Sequence, residues 1–144
     1  MPDLRVRALQ LLARRDHSRA ELRAKLAVHA ESADEVESVL DTLQAERLLS
    51  DHRYASQRVA ARAGRYGNAR LRLELKQQGV AEEDIDAALP EAGDEVERCR
   101  SIWVKKFGQP PLTAEARAKQ MRFLQYRGFS ADAIRQTLRG AEDE

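Results

Sequence analysis

The sequence contains little cysteine and few aromatic residues: Cys99 is its one cysteine, and Phe, Trp and Tyr make up 5% of its 144 residues. A single cysteine excludes an internal disulfide, so we expect Cys99 to be a buried structural thiol. No apolar run approaches the roughly 20 residues that a membrane-spanning helix needs, and the first residues do not resemble a secretory signal. We therefore expect a cytoplasmic protein that does not associate with membranes.

Residues that could build a catalytic, metal or cofactor site are also sparse. His17, His29 and His52 lack a spacing suited to zinc. Gly64 and Gly67 do not follow a strand, as a nucleotide-binding loop requires. Acidic runs such as residues 82–84 lie at predicted helix starts, where the helix dipole accounts for them. The sequence predicts no enzyme, no metal and no cofactor.

The net charge is only +1, yet the charges lie in alternating blocks along the chain. Residues 1–29 carry +4, 30–51 carry −6, 52–78 carry +6, 79–97 carry −8, 98–129 carry +7 and 130–144 carry −2. If like blocks lie on one side of the fold, a nearly neutral protein gains a basic surface that suits phosphates. The alternative is that solvated helix faces cluster charge without a binding role.

Residues 52–78 contain seven basic side chains and one acidic side chain, that of Glu74. Positions 58, 62 and 65 are spaced by four and three residues, so they share one helix face. We expect a surface that contacts phosphates or a partner protein. The candidate residues are Arg58, Arg62, Arg65, Arg70, Arg72, Lys105, Lys106 and Arg127. The competing interpretation is that each arginine pairs with a carboxylate of a neighbouring acidic block.

Apolar positions recur with a period of 49 residues. Two sets show it: Leu26, Leu75 and Leu124, and Val36, Ile85 and Ile134. Small residues at 30, 79 and 128 keep the same phase, and we expect Gly79 and Gly128 to end helices with positive φ. A fixed period of this length indicates tandem supersecondary units.

Apolar spacings of three and four within each unit predict helices, and no alternating segment indicates a strand. Ser18 with Glu21 and Ser32 with Glu35 predict two capping boxes. The predicted fold is all-α, with three tandem three-helix repeats of about 49 residues at 1–49, 50–92 and 93–144, the last with a short acidic tail. Stacked repeats of this kind predict an elongated, curved molecule.

Four segments, taken in order, carry a family resemblance. They are ALQLLARRDHSRAELRAKL at 8–26, LLSDHRYA at 48–55, YGNARLRLELKQQGV at 66–80, and KKF at 105–107 with FLQYRGF at 123–129. Together they resemble RecX, the bacterial regulator of the RecA recombinase. The resemblance implies tandem three-helix repeats that bind in the helical groove of RecA filaments on single-stranded DNA. It also implies damping of strand exchange, ATP hydrolysis and co-protease action.

The resemblance thus implies a negative regulator in recombination, DNA repair and the SOS response, acting as a monomer with weak affinity for single-stranded DNA alone. Two alternatives stay open: a helix-turn-helix-like DNA-binding regulator, and a helical adaptor that binds only protein. Against the first, the helix that would read DNA carries Asp34, Glu35, Glu37 and Asp41, which phosphates repel.

Overall fold

The computed structural model describes residues 3–143, and these form nine α-helices and one 3-10 helix. The α-helices are α1 (Leu4–Arg14), α2 (Arg19–Ala27), α3 (Ala33–Ala45), α4 (Asp51–Arg62), α5 (Asn68–Gln77), α6 (Glu82–Ala88), α7 (Glu95–Lys106), α8 (Ala114–Tyr126) and α9 (Ala131–Glu142). The 3-10 helix, Leu89–Ala92, follows α6 directly. No strand occurs within the described residues, so the all-α prediction is confirmed.

The ends of the chain limit what can be compared with the predicted repeats. Residues 1, 2 and 144, assigned by sequence to the first and third repeats, lie outside the described residues. The boundaries after residues 49 and 92 stay predictions. Within residues 3–143, no helix is long and apolar enough to cross a membrane.

Short polar side chains start several of the helices. The Ser18 hydroxyl accepts a hydrogen bond from the Glu21 amide, and the Glu21 carboxylate accepts one from the Ser18 amide, which confirms the first capping box. Only one of the two hydrogen bonds of the second capping box forms. Ser32 caps the Glu35 amide, but the Glu35 carboxylate accepts from the Glu31 amide instead of the Ser32 amide. The prediction of a reciprocal box there is wrong, because the carboxylate satisfies a different exposed donor.

The internal contacts divide the chain into two compact units. Unit 1 comprises the residues up to Gln57 together with Leu75–Ala87, and unit 2 comprises Arg58–Glu74 with the residues from Ala88 onward. The division falls within α4, within α5 and before the last residue of α6. The middle third of the sequence is therefore shared between the units and has no compact unit of its own.

Each unit has an apolar core formed by the apolar faces of its helices. In unit 1, α2 packs on α1 and α3; in unit 2, α7 packs on α8 and α9. Leu26, Leu75 and Leu124 are all fully buried, as their common phase in the sequence predicts. Cys99 is buried in the core of unit 2, and burial raises the pKa of its thiol. Cys99 is thus a structural residue, as predicted.

Glycines close two of the helices. Gly79 follows α5 with φ of +79°, and Gly128 follows α8 with φ of +91°, so both predicted left-handed residues are confirmed. At each site the amide of the next residue donates to a carbonyl five residues back, from Val80 to Leu75 and from Phe129 to Leu124. These bonds satisfy carbonyl groups that the helix end leaves without partners.

Candidate polyanion-binding surface

The loop between α4 and α5 is fixed by two side chains of α7. The guanidinium of Arg98 donates to the carbonyl oxygens of Ala63 and Tyr66, each at 3.0 Å. Glu95 accepts a hydrogen bond of 2.8 Å from the Asn68 amide at the start of α5. Burial lowers the pKa of Arg98, which is consistent with an internal structural role for this guanidinium. The loop therefore has a defined conformation and can place side chains accurately.

A backbone contact joins this loop to the end of α8. The Gly67 amide donates to the Arg127 carbonyl at 2.8 Å, and the Ala69 amide donates to the Gly128 carbonyl at 3.2 Å. An ideal Cβ on Gly67 would lie 2.4 Å from the Gly128 carbonyl carbon, so only glycine permits this approach. The contact brings Arg127 beside Tyr66, although 61 positions separate them in the sequence.

Four guanidinium groups surround the ring of Tyr66, forming what we call the Tyr66 cluster. Their carbon atoms lie 4.6 Å (Arg62), 4.8 Å (Arg70), 5.3 Å (Arg127) and 5.8 Å (Arg65) from the ring centroid. A cation within about 6 Å of an aromatic ring is attracted by the ring quadrupole. The ring thus gathers the arginines without neutralising their charge.

Glu74 on α5 is a carboxylate that contacts two arginines of this cluster together with Arg58 of α4. Its side chain is 10% exposed, and its oxygens lie 2.5 Å from Arg62 Nε, 3.4 Å from Arg58 Nη2 and 3.8 Å from Arg70 Nε. One negative charge therefore faces three positive charges. The Nε of Arg58 is buried without a hydrogen-bond partner among the described residues, which is a further sign of crowded cations.

A groove of about 290 Å³ opens next to the Tyr66 cluster, and we call it the basic groove. Its lining residues are Gly64, Arg65, Ile102, Lys105, Lys106, Phe123 and Arg127. The Phe123 ring packs edge-on against Phe107, with centroids 5.5 Å apart, and lies 5.4 Å from Lys106 Nζ and 5.2 Å from the Arg127 guanidinium carbon. Four cations and an aromatic ring thus share one concave surface.

The basic groove also lacks local compensation for its charge. None of its lining residues is acidic. Within residues 3–143, no salt bridge joins any of its four basic side chains to a carboxylate. Such a surface attracts anions, because the cations have no competing internal partner.

The structure sorts the candidate residues from the sequence into two groups. Arg65, Lys105, Lys106 and Arg127 line the basic groove. The other group converges on Glu74 and consists of Arg58, Arg62 and Arg70. Arg72 lies on α5 and belongs to neither group.

Four residues that build this surface were not identified as site residues from the sequence. Phe123 belongs to the resemblance segment 123–129, but its place in a groove with lysines of α7 depends on the packing of α7 against α8. Arg98 and Glu95 fix the loop through contacts across about 30 positions, and no local pattern marks them. Glu74 did carry a signal, since it is the one acid in residues 52–78.

The sequence matches three family models in chain order. Residues 5–43, 50–89 and 93–138 match the first, second and third three-helix domains of RecX, respectively. The three matches together cover most of the chain, and each corresponds to one predicted repeat.

Similar proteins agree with these matches. The regulatory protein RecX of Leptothrix cholodnii is 50% identical over 142 residues, which cover 98% of this chain and 90% of that protein. The regulatory protein RecX of Ralstonia pickettii is 45% identical over 141 residues, covering 97% and 89%. The crystal structure of RecX from Lactobacillus salivarius has the same fold, with a TM-score of 0.86 at 20% identity over 98% of this chain and 96% of that one. The chain therefore belongs to the RecX family of regulatory proteins.

Proposed function

We propose that this protein is a negative regulator of the RecA recombinase. It binds RecA filaments on single-stranded DNA and damps strand exchange, ATP hydrolysis and co-protease action. The family supports the regulatory role, and the basic groove supports a polyanionic component in the partner. In this proposal the protein acts as a monomer in the cytoplasm, within recombination, DNA repair and the SOS response.

The observation that carries the proposal is the unpaired charge of the basic groove. Each cation that contacts a phosphate releases condensed counterions, which is the main source of affinity for nucleic acid. Grooves for single strands combine such cations with aromatic rings on which bases stack. Phe123 lies among Lys106 and Arg127 in this arrangement. The groove thus has both components that a single strand requires.

The arrangement of α3 disfavours the helix-turn-helix alternative. Two of its acidic residues, Glu37 and Asp41, form ion pairs with Arg19 of α2. Arg23 of α2 also contacts Glu37, and hydrogen bonds from these arginines lower the pKa of Glu37 to about 2. These acids of α3 are therefore engaged by α2, and α3 has no basic residue of its own with which to contact the phosphates that line a major groove.

Titration of RecA-catalysed ATP hydrolysis on single-stranded DNA with the wild-type protein tests the proposal. We expect the rate to fall at micromolar concentrations of the regulator. An unchanged rate would contradict the proposed activity.

The basic groove is tested by the double variant Arg65→Ala with Lys105→Ala. We expect weaker binding to the filament and a smaller slope of log affinity against log salt, by about 0.7 for each phosphate of a single strand that the variant no longer neutralises. The matched control is Arg5→Ala with Arg135→Ala, which removes two arginines already paired with Glu46 and Asp132. If both double variants bind like the wild type, the basic groove is not the contact surface.

A further inference from the structure

Unit 1 carries a second concave surface, between α1 and α2, with a volume of about 390 Å³. Three cations line it: Arg7 and Arg14 from α1 and Lys25 from α2. No carboxylate lines it, and α1 contains no acidic residue. Within residues 3–143, no salt bridge joins any of the three cations to an acidic side chain. We call this surface the α1–α2 groove.

Two of these cations contact histidine side chains. His17 Nδ1 lies 3.0 Å from the Arg15 carbonyl oxygen, which can only accept, so Nδ1 carries the proton and Nε2 accepts from Lys25 Nζ at 3.1 Å. Burial lowers the pKa of His17, which favours this neutral form. In the same way, His29 Nε2 lies 3.4 Å from Arg7 Nη1, which can only donate.

An imidazole acceptor positions a cation but does not neutralise it. A carboxylate in the same place would both orient the side chain and cancel its charge. Lys25 and Arg7 are therefore oriented beside the groove by contacts that supply no negative charge. Because these side chains are already oriented, less conformational entropy is lost when an anionic ligand binds.

Besides these cations and the polar Gln10 and His29, the lining is aliphatic. Leu26 is fully buried at the base, Leu11 is half-buried, and Val28 at the end of α2 is 80% exposed. No Phe, Tyr or Trp ring lines this groove, so it lacks the kind of stacking ring that Phe123 gives the basic groove. An apolar floor with a cationic rim is complementary to an amphipathic acidic segment, whose aliphatic side chains contact the floor and whose carboxylates meet the rim.

We propose that the α1–α2 groove binds an acidic, aliphatic protein segment, in which Asp or Glu and Leu-like side chains share one face. The inference rests on the proposed function in one respect, since the protein subunits of the filament supply that segment. In this proposal the cations of unit 1 bind carboxylates of the partner protein, while the basic groove of unit 2 binds the nucleic acid.

Two substitutions separate the charged and the apolar parts of the groove. Arg14→Glu reverses an exposed cation, and Val28→Ser removes an exposed aliphatic side chain without adding charge. The matched controls are Arg139→Glu on α9 and Val104→Ser on α7, which lie in neither groove. Circular dichroism verifies that all four variants keep their helical content.

Each variant is measured against two probes, the RecA filament and the single-stranded oligonucleotide alone. We expect Arg14→Glu to weaken filament binding about tenfold and Val28→Ser to weaken it several-fold, with affinity for the oligonucleotide unchanged and the controls like the wild type. Filament binding unchanged in both variants would overturn the inference. Loss of oligonucleotide binding in Arg14→Glu would also overturn it, because the groove would then bind phosphates.

A third probe keeps this inference distinct from the proposed function. It is a fluorescent helical peptide that repeats Leu and Glu at spacings of three and four, beside a peptide with Ala in place of Leu. If the wild-type protein fails to bind the filament, the proposed function fails. The inference is then supported if the Leu peptide binds and Arg14→Glu or Val28→Ser weakens it. It is overturned if the Leu peptide does not bind, or if the two peptides bind equally.

Discussion

The two units use their arginines differently. In unit 1, Arg53 pairs with Asp16, and Arg19 contacts both Glu37 and Asp41, so these arginines are matched by carboxylates, whereas Arg7 and Arg14 of the α1–α2 groove are not. In unit 2, three arginines share the single carboxylate of Glu74, and four further cations line a groove without an acid. The comparison shows that the number of arginines does not identify a binding surface. The proposed surface is distinguished instead by its ratio of cations to carboxylates within contact distance.

The units also differ in aromatic content. Tyr54 is the only aromatic residue of unit 1, and it is buried. Unit 2 has Trp103 and Phe129 in its core, with Tyr66 and Phe123 beside the arginines. The buried Trp103 indole donates a 2.8 Å hydrogen bond to Gln120, so its polar atom is satisfied. Cations thus lie beside Tyr and Phe rings in unit 2, whereas in the α1–α2 groove of unit 1 they lie beside histidine side chains.

The largest expected effect tests whether the two cores are equivalent despite these different surfaces. Leu75→Ala in unit 1 and Leu124→Ala in unit 2 should each lower the free energy of unfolding by about 2 to 5 kcal/mol, because each removes a fully buried side chain. Urea denaturation measures both. Leu112→Ala is the control, since that side chain is 92% exposed, and a loss below about 1 kcal/mol at either buried leucine would break the equivalence of the repeats.

A smaller effect concerns the shared carboxylate of unit 2. Glu74→Gln keeps the side-chain size but leaves three guanidinium groups without their anion, so the free energy of unfolding should fall by about 1.5 to 3 kcal/mol. The comparison variant is Glu37→Gln in unit 1, whose side chain is 40% exposed against 10% for Glu74, and we expect it to lose less stability. Equal losses in chemical denaturation would show that burial of the carboxylate does not distinguish the two units.

The next prediction concerns the backbone contact between the α4–α5 loop and the end of α8. Gly67→Ala should cost about 1 to 3 kcal/mol of stability, because the new Cβ would overlap the Gly128 carbonyl group. It should also weaken filament binding, since the loop that holds Tyr66 must shift. Gly64→Ala is the control, because nothing lies within 4 Å of its Cβ position, and its melting temperature should stay close to that of the wild type.

The smallest effect is a pH dependence located in unit 1. Burial lowers the pKa of folded His17 below the value of about 6.5 for an unfolded histidine. Between those two values the unfolded chain binds a proton that the folded chain does not, so stability should fall as the pH falls below about 6.5. Thermal melts between about pH 7.5 and 5.5 measure this, and the slope should flatten in His17→Gln. The control is His52→Gln, which changes an exposed histidine. A slope flattened equally in His52→Gln would show that the pH dependence does not come from His17.

Local sequence determined much of the fold. Helix positions follow from apolar spacing, and the buried leucines follow from the period of 49 residues, because a side chain at one phase of a repeated unit meets the same neighbours each time. Positive φ at Gly79 and Gly128 follows from the small residue at each helix end. The second capping box failed at its reciprocal half, because Glu31 offered a competing amide within reach of Glu35.

The tertiary structure alone decided how the basic residues are used. The sequence indicated a basic block in residues 52–78, but it could not separate Arg65, which faces the basic groove, from Arg62, which is held by Glu74. That distinction depends on the direction in which each side chain projects. It also depends on the close approach between the α4–α5 loop and the end of α8, at Gly67 and Gly128. Contacts between residues about 60 positions apart leave no local pattern, since side-chain periodicity records only which face of a helix is buried and not what lies against it.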